Sequence, residues 1–264
     1  MLRVRLRFEK RGSMRFTSHR DLMRIFRRAV AAAQIPVSFS QGFNPHPRFS
    51  FGPSLRTGWE GLDEYMDVLL DAPAEDLAER CNLRLPDGLR VLEAGAVREE
   101  VPKLAADVSA ARYEVIVDRA DVFDRRPNQD SPSLEDSVRS PDDRGGGPLG
   151  HERLLSLLET AIQYRFSSPD ASRHTAERVE PPVAAVIDAR CAEAAGMEGA
   201  PVRIEYLSTM HGGKSVFPED ILTPFLGDPE RFGVPVRVAR QALYVERGGA
   251  YVSPMSRAAM ESRA

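Results

Sequence analysis

Cysteine is nearly absent from this chain of 264 residues: only Cys81 and Cys191 occur, too far apart in sequence to read as a metal knuckle or a redox pair. A framework of disulfides is therefore excluded, and so is an iron–sulfur cluster that needs three closely spaced thiolates from this chain alone. There is a single Trp. No run approaches the roughly 18 consecutive apolar residues that a membrane-crossing helix requires. The first ten residues alternate Arg with aliphatics and do not resemble a signal peptide. These features set the expectation of a cytoplasmic protein with no membrane partner.

What is present is ordinary in amount and uneven in placement. Hydrophobic residues make up 42% and charged residues 28%, close to globular averages. The net charge of -3 conceals a strong asymmetry. Residues 1 to 56 hold twelve Lys or Arg against two Asp or Glu, a net +10, and the remainder holds 24 against 37, a net -13. Such asymmetry points the first segment toward a polyanion or an acidic protein surface; the alternative is that the two parts neutralise each other within the fold.

The period of the pattern sets the elements. Leu2, Val4, Leu6 and Phe8 alternate with Arg3, Arg5 and Arg7, as in a strand with one core face and one cationic face. Ser18 followed by Asp21 marks a helix start with a capping box, and the helix is predicted over residues 19 to 33. In it Leu22, Phe26, Ala29, Val30 and Ala33 form the buried stripe, while Arg20, Arg24, Arg27 and Arg28 form a basic one. A strand is predicted at 37–40, an extended piece at 48–52, a strand at 64–70 with Met66, Val68 and Leu70 inward, a short helix near Pro73, and a strand at 89–94.

That order is that of a ferredoxin-like unit, βαββαβ. It is expected to recur, with strands near 113–117, 183–189, 202–208 and 236–244, a helix over 152–164, and a short helix beginning at Phe217-Pro218. The expected fold is α+β: two tandem ferredoxin-like units with antiparallel sheets, a basic one over 1–98, a linker over 99–110, and a second over 111–250. Residues 124–150, rich in Asp, Ser, Pro and Gly, are expected to form a disordered insertion, and 251–264 a flexible tail.

Two stretches carry the most distinctive chemistry: Arg15-Phe16-Thr17-Ser18-His19-Arg20-Asp21-Leu22-Met23-Arg24, and Gln41-Gly42-Phe43-Asn44-Pro45-His46-Pro47-Arg48-Phe49-Ser50-Phe51-Gly52. Together they resemble a bacterial family of unknown function linked, as neighbours or fusions, to cobalamin-binding radical-SAM proteins. Its members carry a similar Arg-Phe-x-Ser-His-x-Asp-Leu-x-Arg stretch and a Gln-Gly-Phe-Asn-Pro-His-Pro stretch. The resemblance covers roughly residues 1 to 100. It implies a radical-SAM partner enzyme, with the iron–sulfur cluster, S-adenosylmethionine and cobalamin on that partner and no cofactor in this chain.

The residues themselves suggest several roles. Ser18, at a helix N-terminus flanked by Arg15 and Arg20, is placed to hold a phosphate or carboxylate, or simply to cap. His19 and His46 are candidates for proton transfer, ligand binding or metal ligation if the fold unites them, and otherwise top the helix and brace a loop; no metal site is assigned. Phe43, Phe49 and Phe51 interleave with Asn44, His46 and Arg48 in a composition that stacks bases or anchors a loop. Arg3, Arg5 and Arg7 replace the stacking aromatics of an RNA-recognition motif, which excludes that motif. They suit backbone-directed contacts or salt bridges to the acidic half. His211-Gly212-Gly213-Lys214 lacks P-loop spacing and reads as a turn, and His151 and His174 receive no role. Three functions follow: a non-catalytic RNA-binding or substrate-presenting accessory protein, a metal-independent endoribonuclease using His19 or His46, and a protein-only interaction module. The balance leans away from an enzyme.

Overall fold

The computed structural model describes residues 1–117, 186–193, 201–210, 215–218 and 236–261. Among the described residues the chain is a mixed α+β protein with mostly antiparallel strands and few helices. It divides into two compact units: the first comprises Met1–Arg112, Met210–Gly213 and Ala239–Ala264, and the second Tyr113–Thr209 and Lys214–Val238.

In the first unit, alternation produces a long first strand, β1 (Leu2–Lys10). It lies antiparallel between β3 (Glu60–Leu70) and β4 (Leu89–Val97), and the short β2 (Phe49–Phe51) pairs with β3. Helix α1 (His19–Ala32) follows the serine cap, and α2 (Leu77–Asn82) precedes β4. Both helices contribute to one core: Leu22, Phe26 and Val30 of α1 and Leu77 and Cys81 of α2 pack with Leu6, Phe8, Met66, Val68 and Val91 from the strands. The inward assignment of Met66, Val68 and Leu70 holds in this core. Residues 37–40 form isolated bridges, Val37 to Leu70 and Phe39 to Pro47, and not a strand. Pro36 and Pro47 bracket this stretch, and proline has no N–H to add to a ladder.

The opposite faces of β1 and β3 are covered too. Strand β5 (Val108–Val117) begins in the first unit after a short helix, α3 (Leu104–Asp107). Strand β8 (Val236–Arg247) enters the unit at Ala239 and runs parallel to β3, with Glu60 opposite Ala239 and Gly61 opposite Arg240. It turns through Gly248 and Gly249 into β9 (Ala250–Val252), and α4 (Arg257–Glu261) follows. Residues 239–261 thus belong with the N-terminal unit, where the sequence pattern placed them in a second unit and a flexible tail. Periodicity identifies β8 correctly as a strand, but it says nothing of which partner a strand pairs with.

In the second unit, β6 (Val186–Glu193) pairs antiparallel with β7 (Val202–Thr209). Tyr113 stacks on Tyr206 at a centroid distance of 5.2 Å. The Tyr206 hydroxyl donates to the Val216 carbonyl at 3.1 Å, and the Val216 N–H donates to Ser208 Oγ at 3.0 Å. The expected helix at 152–164, the insertion at 124–150 and the turn at His211 lie outside the described residues.

Candidate functional site

The cationic face of β1 does not stand open. Arg5 is fully buried and makes a two-pronged contact with Asp67, Nε to Oδ1 at 2.8 Å and Nη2 to Oδ2 at 3.1 Å, and its Nη1 donates to the Pro254 carbonyl at 3.0 Å. Arg7 bonds Asp63 and lies 3.7 Å from Glu93. Arg3 donates to the carbonyls of Arg98 and Val101 at 2.7 and 2.6 Å. The salt bridging weighed for these arginines occurs, but within the first unit, with carboxylates of β3 and β4. A buried guanidinium left without such a partner would be strongly unfavourable.

Ser18 caps α1. Its Oγ accepts from the Asp21 N–H at 3.2 Å and donates to Asp21 Oδ2 at 2.7 Å. The carboxylate beside the helix N-terminus is thus the chain's own Asp21, held below its usual pKa first by the Ser18 bond and then by Arg24, so Ser18 is not an open anion cradle. Arg15 stacks over Phe16 at 4.7 Å and sits 4.0 Å from Glu60. On α1, Arg20, Arg24 and Arg28 are exposed at four-residue spacing and share a side of the helix, whereas Arg27 is half-buried. Of the three, Arg24 pairs with Asp21 at 2.9 Å.

The second stretch forms a closed loop. Ser40 N–H donates to the His46 carbonyl and Arg48 N–H to the Ser38 carbonyl, both at 2.9 Å, while Ser38 N–H and Leu69 N–H tie the base to the end of β3. Gly42 has φ +125, a conformation side chains rarely adopt. His46 Nδ1 lies 3.0 Å from Ser40 Oγ and 3.3 Å from the Asn44 carbonyl, so this ring braces the loop. Gln41, Asn44, Pro45, His46 and Arg48 are exposed and Pro47 is half-buried. Phe43 projects entirely into solvent. Phe49 and Phe51 instead join an edge-to-face cluster with Phe8 and Phe26.

His19 belongs to a different place from His46. Its ring meets Phe51 edge-on at 5.1 Å, and it lines a small cleft, with room for about one water molecule, together with Lys10, Thr17, Glu64 and Tyr65 beside Phe8, Leu22, Phe51, Pro53 and Leu55. His46 is not among the lining residues. Burial lowers the His19 pKa, nearby Lys10 lowers it further, and Glu64 opposes both. Lys10 is 2% exposed; burial lowers its pKa too, against the pull of Glu64. Its Nζ donates to the carbonyls of Arg15 and Thr17, each at 3.3 Å. Glu64 accepts from Arg240 Nε at 2.8 Å with one oxygen and from Arg240 Nη2 with the other. Tyr65 donates its hydroxyl to Asp63 at 2.8 Å, and burial raises its pKa.

Sequence reasoning missed Lys10, Glu64 and Arg240. A signal for the first two existed: Lys10 continues the apolar face of Leu6 and Phe8, Glu64 continues that of Met66 and Val68, and Phe8 pairs with Glu64 across the strands. A charge at the end of an otherwise apolar face is the kind of buried polar group that demands explanation. Among the described residues, no group of three or more His, Cys, Asp or Glu could hold a metal ion, and no helix is long and apolar enough to cross a membrane.

These features define a mixed α+β protein whose two distinctive stretches, a capped basic helix and a braced loop, share one unit. The chain belongs to the family described as "Uncharacterized protein conserved in bacteria (DUF2344)", whose model matches residues 3–140 and so includes both stretches. Comparison with the curated proteins gives no match.

Proposed function

We propose that this protein is a non-catalytic accessory partner of a cobalamin-binding radical-SAM enzyme and that it presents RNA to that enzyme through its N-terminal unit. The enzyme link rests on the resemblance of the two motif stretches. The partner would supply the iron–sulfur cluster, S-adenosylmethionine and cobalamin, and the pair would work in the cytoplasm. The observation that carries the RNA reading is the exposed set of Arg20, Arg24 and Arg28, among which Arg24 pairs with Asp21, in the same unit as the solvent-projecting Phe43. Arginines of this kind take phosphates, and a free aromatic ring takes an unpaired base. Arg3, Arg5 and Arg7 play no part, because their charge is committed inside the unit.

The fold reading supports a rigid platform. The first unit has the element order β1-α1-β2-β3-α2-β4 and the neighbour order β4-β1-β3-β2, with both helices in one core. We read this as one ferredoxin-like unit with β8 added beside β3, and a second such unit would make the tandem pair read from the sequence.

Fluorescence anisotropy of the full chain with a structured RNA, over a salt series, tests the RNA reading. Neutralising the α1 face alone should take up a few phosphates, so log K should fall against log salt with a slope near -0.7 to -0.9 per phosphate. Arg20/Arg24/Arg28→Glu should weaken binding and flatten the slope, and Phe43→Ala should weaken it at every salt concentration. Absence of binding at low salt would overturn the RNA reading and assign the basic face to an acidic protein.

A further inference from the structure

The loop after α1 carries at its tip side chains that the core does not use. Its base is a short ladder: Phe39 bridges Pro47, Ser40 N–H donates to the His46 carbonyl at 2.9 Å, and His46 N–H donates to Ser40 Oγ at 3.1 Å. Pro45 and Pro47 fix φ on the returning arm. Gln41, Gly42, Phe43, Asn44 and Pro45 remain at the tip, all exposed. Phe43 is fully exposed, so both faces of its ring are free. The carboxamides of Gln41 and Asn44 stand on either side of it in sequence and have no hydrogen-bond partner among the described residues. Beside Gly42 the space is open, since an added Cβ would meet nothing within 4 Å. A braced backbone that already holds an apolar ring in water has met part of the ordering cost of binding.

We infer, resting on the reading that the protein binds RNA, that this tip seats one unpaired adenine, stacked on Phe43 and read at its edge by the carboxamides of Gln41 and Asn44. Stacking on a phenyl face is open to every base, but a purine covers more of the ring than a pyrimidine and gains more dispersion contact. Between the purines the edge decides. Adenine offers a donor at N6 and an acceptor at N7, the complement of a carboxamide; guanine offers acceptors at O6 and N7, which call for Arg or Lys. Positions 41–45 hold two carboxamides and no charged residue. Arg48 stands at the foot of the hairpin, where its N–H bonds the Ser38 carbonyl, and its exposed guanidinium suits the adjoining phosphate. A duplex hides the faces of its bases, so the adenine lies in a loop, a bulge or an end.

Four labelled RNA hairpins that are identical except for one unpaired nucleotide, A, G, C or U, carry the same charge and so separate recognition of the base from attraction to phosphate. Fluorescence anisotropy of the full chain with each hairpin, at low and at moderate salt, tests the site. The A hairpin should bind roughly tenfold tighter than the other three. Gln41→Ala/Asn44→Ala should level the A and G hairpins, and Phe43→Ala should weaken the A hairpin most, both with the salt slope of the parent. Arg20/Arg24/Arg28→Glu should weaken all four alike and keep the preference for A. Salt-sensitive binding that ignores the base would refute the adenine site and leave the RNA reading standing. A preference for G, C or U, or a preference for A that survives both tip variants, would also overturn the site. No binding of any hairpin at low salt would overturn the site and the RNA reading together. Should a variant fail to fold, the four hairpins compared on the unaltered protein decide.

Discussion

Arg5 and Asp67 show how a single buried pair redirects the meaning of a pattern. The guanidinium has no exposed surface, and its removal would leave Asp67 charged and enclosed. Arg5→Met should therefore lower stability by about 3–5 kcal/mol, as for other broken buried ion pairs. The double variant Arg5→Met/Asp67→Leu should recover most of that loss, since it removes both charges and keeps the volume. Urea unfolding of the three proteins checks it, and a double variant no more stable than the single one would contradict the account. The alternation of Arg3, Arg5 and Arg7 was legible in the sequence; their burial was not. Local period tells which residues share a face, and only tertiary packing tells what that face meets. Lys10 and Glu64 were legible in principle, as charges extending apolar faces, whereas Arg240 lies 176 residues from Glu64 and carries no local signal.

Helix α1 was the element most fully readable from its own residues. Its start follows from Ser18 and Asp21, its buried stripe from Leu22, Phe26, Ala29 and Val30, and its end comes within one residue of the expected position. The cap differs from a full capping box: the Asp21 carboxylate meets Ser18 Oγ and not the Ser18 backbone N–H. Ser18→Ala removes the one side-chain acceptor for the helix's first turn and should cost about 1 kcal/mol. Ser18→Gly should cost only a few tenths, provided the helix start keeps its extended backbone. Thermal unfolding of both variants measures the difference, and equal midpoints for Ser18→Ala and the parent would argue against a capping role. The turn into β4 depends on Gly88, whose φ is +88 and whose added Cβ would sit 2.5 Å from the Arg11 carbonyl. Its own carbonyl accepts from Arg11 N–H at 2.7 Å, so that glycine sets the spacing between β4 and the turn after β1. Sequence alone reads any glycine there as a loop and misses the close approach.

Over the whole molecule, the first unit draws on both distant parts of the chain. Tyr65 reaches Ser253 at 3.3 Å, Arg98 N–H donates to the Met260 carbonyl at 3.2 Å, and Gly95 lies beneath Met255 and Met260. A chain ending at Val252 should uncover Arg5 and Tyr65 and lose at least about 2 kcal/mol, the worth of one large buried side chain. Hydrogen exchange should show the change first in β1 and β4, and unaltered protection there would mean that residues 253–264 only drape the unit. The repeated order of strands and helices suggested two units arranged one after the other; the observed division returns the chain to the first unit at Ala239.

That return has a consequence during synthesis. Glu64 leaves the ribosome long before Arg240, and Arg5 longer still before the Pro254 carbonyl it bonds, 249 residues later. At about 5–20 residues per second, Glu64 waits roughly ten to thirty-five seconds for its counter-ion. Throughout that interval the nascent N-terminal half carries strands with open edges and charges awaiting burial. The unit that bears both distinctive stretches is therefore completed only after Arg240 and Pro254 have emerged, long after its own strands.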